Sequence, residues 1–142
     1  MAEISEATMA LVTAAATEQY AEYKANATAE HKAAAMAKLE RYNTDEAYKA
    51  EHMGRFATTF TEADSNGDGK LVLAEYQVFE QKMRDFKIAD GDWVEAEMPY
   101  ERNYNVANSV SEGDGVTMAD MGAVMKPWMA KFLELKAADE AQ

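Results

Sequence analysis

The sequence predicts an all-α protein in which two helix–loop–helix units form a pair and further helices precede them. Three observations carry that expectation. Apolar residues recur at helical spacing on both sides of an acidic, glycine-containing loop at residues 64–75. A second glycine-containing loop, at 109–120, lies between two more segments with helical spacing. Residues 1–53 hold neither glycine nor proline and are rich in alanine, the best helix former.

Taken in order, Ile4, Leu11 and Ala15 lie near one face of a first helix over 5–24, continued by Tyr20 or Tyr23. Asn26 and Thr28 interrupt it, and a second helix over 29–41 carries Met36 and Leu39. Asn43 followed by Glu46 has the form of a capping box and opens a third helix that ends at Ala63. That helix turns Tyr48, Met53, Phe56 and Phe60 inward. Beyond the first loop, Leu73, Tyr76, Phe79 and Met83 repeat at helical spacing.

The pattern weakens over 84–92, which reads as a linker. Gly91 is expected to end a helix there, Asp92 to cap the next, and Trp93 to anchor the segment to the core. Pro99 fits the first turn of a helix over 99–108, where Tyr100, Tyr104 and Ala107 share a face. Thr117 is placed to cap a final helix from Met118, with a stripe of Met118, Met121, Met125, Trp128, Phe132 and Leu135. Four of the ten methionines lie between Met118 and Met129, either as a core stripe or as an adaptable binding face. Pro127 is expected to bend or break that helix, and residues 136–142 to fray. The chain divides into N-terminal helices over 1–43 and the helix–loop–helix pair over 44–142.

The chemistry concentrates in the first loop, Asp-Ser-Asn-Gly-Asp-Gly-Lys-Leu-Val-Leu-Ala-Glu. Oxygen-bearing side chains stand at positions one, three and five (Asp64, Asn66, Asp68), glycine at six (Gly69) and glutamate at twelve (Glu75). A hard cation such as calcium takes only oxygen ligands, and a tight turn presents alternate side chains to one point. Gly69 permits the turn because it has no Cβ.

On these residues the segment 53–83 resembles the EF-hand calcium-binding family, best known from calmodulin-like and sarcoplasmic calcium-binding proteins. The resemblance implies an EF-hand pair with a short β-bridge between its loops, Leu71 supplying one side of the bridge. It also implies a calcium ion held by Asp64, Asn66, Asp68, the backbone carbonyl of Lys70 and both carboxylate oxygens of Glu75, with magnesium competing. Val72 stands at position nine, where many members carry a polar side chain. Three carboxylates and one amide oxygen point to sensor-like affinity, on the order of micromolar.

The second loop resembles the first imperfectly. With Asp120 at position twelve, Val116 falls at eight, but positions one, three and five become Ser109, Ser111 and Gly113. With Gly115 at position six instead, Val110 and Met121 occupy one and twelve. Either register loses essential ligands, so this loop is expected to keep the shape and pairing role of a hand while binding calcium weakly or not at all. Residues 1–43 are open to two readings: a degenerate hand that lost its glycine, or a helical extension covering the apolar groove of the pair.

Composition narrows the function. The formal net charge of −12 disfavours nucleic acid and anionic membranes, and it suits a basic amphipathic partner helix. There is no cysteine for thiolate chemistry. No stretch reaches the ~18 apolar residues that span a bilayer, and the acidic start makes a poor signal peptide, so a cytoplasmic protein is expected. His31 and His52 have no ligand-like neighbours in sequence and read as exposed helical residues. No catalytic constellation is present, so no enzyme is expected. Three readings remain: a calcium sensor that engages a partner protein, a calcium buffer, and a calcium-stabilised structural subunit of a larger assembly.

Overall fold

The computed structural model describes residues 4–111 and 113–141 of the chain. It is all-helical: α1 (Glu6–Asn26), α2 (Ala29–Thr44), α3 (Glu46–Ala63), α4 (Leu73–Asp90), α5 (Tyr100–Asn108) and α6 (Met118–Glu140). Among the described residues the extended pairing is a single antiparallel bridge, Leu71 with Val116, between the loop joining α3 to α4 and the loop joining α5 to α6. The bridge carries two 2.9 Å backbone hydrogen bonds, one in each direction.

Four of the six helices, α1, α2, α3 and α6, start on a capping side chain. Ser5, Thr28, Asp45 and Thr117 accept hydrogen bonds from the backbone N–H of the third residue on, which meets one of the donors a helix start leaves open. His31 completes a capping box on α2, its Nδ1 accepting from the Thr28 N–H at 3.2 Å. The start of α3 is capped by Asp45 and not by Asn43: α2 continues through Thr44, so Asn43 is still helical.

The core gathers Val12 and Ala15 of α1, Phe60 and Ala63 of α3, Tyr76 and Phe79 of α4, Tyr104, Val106 and Ala107 of α5, and Met121 and Val124 of α6 around Leu71 and Val116. Thus α1 shares the core of the two helix–loop–helix units. It packs chiefly along α6, and also against α5. The two run in the same direction, since Gln19 accepts from Trp128 Nε1 at 2.8 Å while Tyr20 and Lys24 both reach Asp139. In contrast, α2 buries none of its residues. It lies against α3, and its Lys38 bonds Asp90 and Asp92, each at 2.8 Å.

Further local expectations need correction. Residues 84–90 are not linker but the last turns of α4, ended by Gly91 in the left-handed conformation at φ +81°. Tertiary contacts hold this weakly patterned stretch: Arg84 donates to the carbonyls of Glu95 and Glu97, and Arg55 sits over the Phe86 ring and beside Asp90. Asp92 caps no helix, because its carboxylate is taken by Lys38. Trp93 does anchor the following segment, buried with its ring edge-on to Tyr23.

Pro127 does not break α6, which runs unbroken from 118 to 140. The carbonyl left without its helical N–H donor belongs to Ala123, which is exposed and free to bond water. The end of α6 is likewise helical through Glu140 and tied to α1 by Asp139, while Gln142, part of the expected frayed end, lies outside the described residues. The methionine stripe divides: Met121 is buried, whereas Met118, Met125 and Met129 are exposed beside Leu133.

Candidate metal centre

The first loop is held between the last residue of α3 and the first turn of α4. Asp64 terminates α3, and Glu75 is the third residue of α4. Between them Gly67 and Gly69 take φ values of +68° and +81°, a region where L side chains are strained. The turn brings Asp64, Asp68 and Glu75 together, one carboxylate oxygen from each lying within 4.8 Å of the others. At that separation each pair of charges repels by about 1 kcal/mol even in water, and a bound cation reverses the sign.

Backbone donors orient the carboxylates. Asp64 accepts from the N–H groups of Asp68 and Gly69 at 3.3 and 2.8 Å. Asn66 Oδ1 accepts from the Asp68 N–H at 3.2 Å, and Asp68 Oδ1 from the Lys70 N–H at 3.0 Å. Glu75 Oε1 accepts from the Val72 N–H at 3.1 Å, closing the start of α4. Its Oε2 accepts two bonds from Ser65, from the N–H at 2.9 Å and from the hydroxyl at 2.8 Å. The Ser65 hydroxyl is the largest influence holding the Glu75 carboxyl below its ordinary value, the N–H groups of Val72 and Ser65 add to it, and burial opposes them. Ser65, at position two, was not singled out by the spacing argument, which reads only alternate positions.

The donor set fits a hard divalent cation. It is all oxygen, and ligand oxygens that lie about 2.3–2.6 Å from calcium are at most about 5 Å apart. Asp64, Asp68 and Glu75 meet that limit together. Asn66 and Lys70 are tied into the same turn by hydrogen bonds to Asp68, Asn66 Oδ1 accepting from its N–H and the Lys70 N–H donating to its carboxylate.

The second loop has the same frame with different contents. Val116 pairs with Leu71, so the register that puts Val116 at position eight and Asp120 at position twelve is the one adopted. Asp120 accepts from the Thr117 N–H at 3.0 Å, as Glu75 does from Val72. Where the first loop converges carboxylates, the second bonds to itself. Ser109 Oγ donates to the Val106 carbonyl at 2.6 Å and lies 2.8 Å from the hydroxyl of buried Thr8 on α1. Ser111 Oγ donates to the Gly115 carbonyl at 2.7 Å, linking positions three and seven directly. The Gly115 N–H reaches the Tyr104 hydroxyl at 3.1 Å and Asn108 at 3.2 Å. Gly115 itself stands at φ +109°, where an L side chain is strained, and a Cβ there would crowd that of Lys70 at 3.0 Å. Protein–protein hydrogen bonds thus hold this loop, and it presses on the first at position seven.

Among the described residues no helix is long and apolar enough to cross a membrane. Comparison of the chain with protein-family models, with curated proteins and with solved structures finds no match in any of the three.

Proposed function

We propose that the chain is an EF-hand-like pair that binds one calcium ion through Asp64, Asn66, Asp68, the Lys70 carbonyl and Glu75, and that it acts as a calcium sensor engaging a partner protein. The observation that carries the reading is the convergence of three carboxylates in a glycine-turned loop. They belong to a loop whose partner, bridged through Leu71 and Val116, is stabilised by hydrogen bonds of its own. Bound calcium supplies a countercharge that lets the three carboxylates approach; magnesium competes for the same oxygens.

The chain's part is to hold the ligands: the N–H groups of Asp68 and Gly69 orient Asp64, and Ser65 and Val72 orient Glu75. The second hand is a structural partner, its position-one and position-three hydroxyls being committed to Thr8, Val106 and Gly115. On this reading the protein is a binding protein and not an enzyme, and a sensor of micromolar affinity belongs in the cytoplasm, where resting calcium is low.

The sensor role rests on α6. Met118, Met125, Met129 and Leu133 are exposed along it. Met118 shares a cleft with Asp64 and Gly69 of the first loop. A methionine face next to an ion site, on a chain of net charge −12, suits a basic amphipathic helix. The buffer reading draws on α1, which already occupies the core side of α6. A fluorescent apolar dye titrated against protein with rising calcium distinguishes the two. Dye binding that rises with site filling supports the sensor; dye binding that stays flat while calcium binds supports the buffer.

A further inference from the structure

We propose that Ser65 sets the calcium-to-magnesium preference of the loop by occupying one oxygen of Glu75; the inference rests on the calcium-binding reading above. A carboxylate oxygen has two in-plane lone pairs. Glu75 Oε2 accepts two hydrogen bonds, from the Ser65 N–H at 2.9 Å and the Ser65 hydroxyl at 2.8 Å, so both are engaged. Oε1 accepts one, from the Val72 N–H at 3.1 Å, and keeps one lone pair free. In this arrangement Glu75 offers a cation one oxygen.

The two ions respond differently to that restriction. Magnesium requires six ligands in a near-ideal octahedron, and a single glutamate oxygen satisfies its share. Calcium takes a seventh or eighth ligand and gains from the second oxygen of a glutamate. To donate Oε2, the chain must first give up the Ser65 hydroxyl bond. Ser65 therefore holds calcium affinity down and leaves magnesium affinity untouched. The backbone N–H of Ser65 still positions the carboxylate when the hydroxyl is gone, and the Val72 N–H still closes α4. Ser65 is exposed, so its replacement by alanine leaves no cavity.

The test is calorimetric titration of chelator-stripped wild type, Ser65→Ala and Ser65→Thr with calcium and, separately, with magnesium. A hydrogen bond from a neutral hydroxyl to a solvent-accessible carboxylate predicts that Ser65→Ala tightens calcium binding about five-fold while the magnesium constant stays within about two-fold. Ser65→Thr, which keeps the hydroxyl, should return calcium binding to the wild-type value. Equal tightening for both ions, or weaker calcium binding in Ser65→Ala, overturns the role given to Ser65. A wild-type protein that takes up neither ion overturns the calcium-binding reading itself, and this inference with it.

Discussion

Replacing Thr8 by valine tests whether α1 is part of the machinery that holds the second loop. Thr8 is 1% exposed, and valine matches its shape. Its hydroxyl accepts from Ser5 Oγ at 3.1 Å and lies 2.8 Å from Ser109 Oγ. Ser109 spends its own proton on the Val106 carbonyl, so Thr8 is the donor in the bond between the two hydroxyls. The substitution removes both Thr8 bonds and adds a buried methyl group. Water reaches the exposed Ser109 and replaces part of what is lost. The net cost is about 1 kcal/mol, or about 3 °C in Tm for a chain of this size. Urea unfolding in chelator measures it, with Ser109→Ala and the double variant completing a cycle. A coupling of about 0.5–1 kcal/mol between the two sites is expected. Strict additivity, or no loss from Thr8→Val alone, would refute the docking of α1 onto the second loop.

Two further predictions concern α2 and acid. Lys38→Met removes the cation shared by Asp90 and Asp92 and leaves Asp92, 90% buried with Oδ1 already lacking a partner, without compensation. The expected loss is about 1–3 kcal/mol, read by denaturant unfolding and by the fluorescence of neighbouring Trp93. Asp90 is held below its ordinary value, chiefly by the Lys38 hydrogen bond and also by Arg55. Its stabilisation is therefore complete above the unfolded-state value and is lost as pH falls through the lower folded value. Stability of wild type should decline below about pH 4, and Lys38→Met should flatten that decline; unfolding midpoints measured across the acid range check this.

Much of the fold was legible in the sequence because its signals are local. Glycine-free, alanine-rich segments gave helices, and Thr117 capped α6 as short-range chemistry dictates. The pairing of Val116 with Leu71 followed from a register counted along the chain. What escaped is tertiary. The last turns of α4 carry little amphipathic pattern and are held by Arg55 and Lys38 from other helices and by the reach of Arg84 to the carbonyls of Glu95 and Glu97. The division of the α6 methionines depends on where α1 lies, and no periodicity along α6 reports that. At the candidate site, Asp64, Asp68 and Glu75 were readable from spacing and are brought together. The doubled bond from Ser65 to Glu75 was not, because it spans ten residues and depends on how the turn closes.

The most direct test of the central claim is calorimetric titration of chelator-stripped protein with calcium, run beside Glu75→Gln. The neutral amide keeps the size of the side chain and removes one of three converging charges. The account predicts a single site of micromolar order in wild type, abolished or weakened at least about a hundred-fold in the variant, with both proteins folded. Two sites in wild type would contradict the structural role of the second loop. A folded wild type that binds no calcium, or a Glu75→Gln variant that binds it as well as wild type does, would contradict the claim that residues 64–75 form a calcium site.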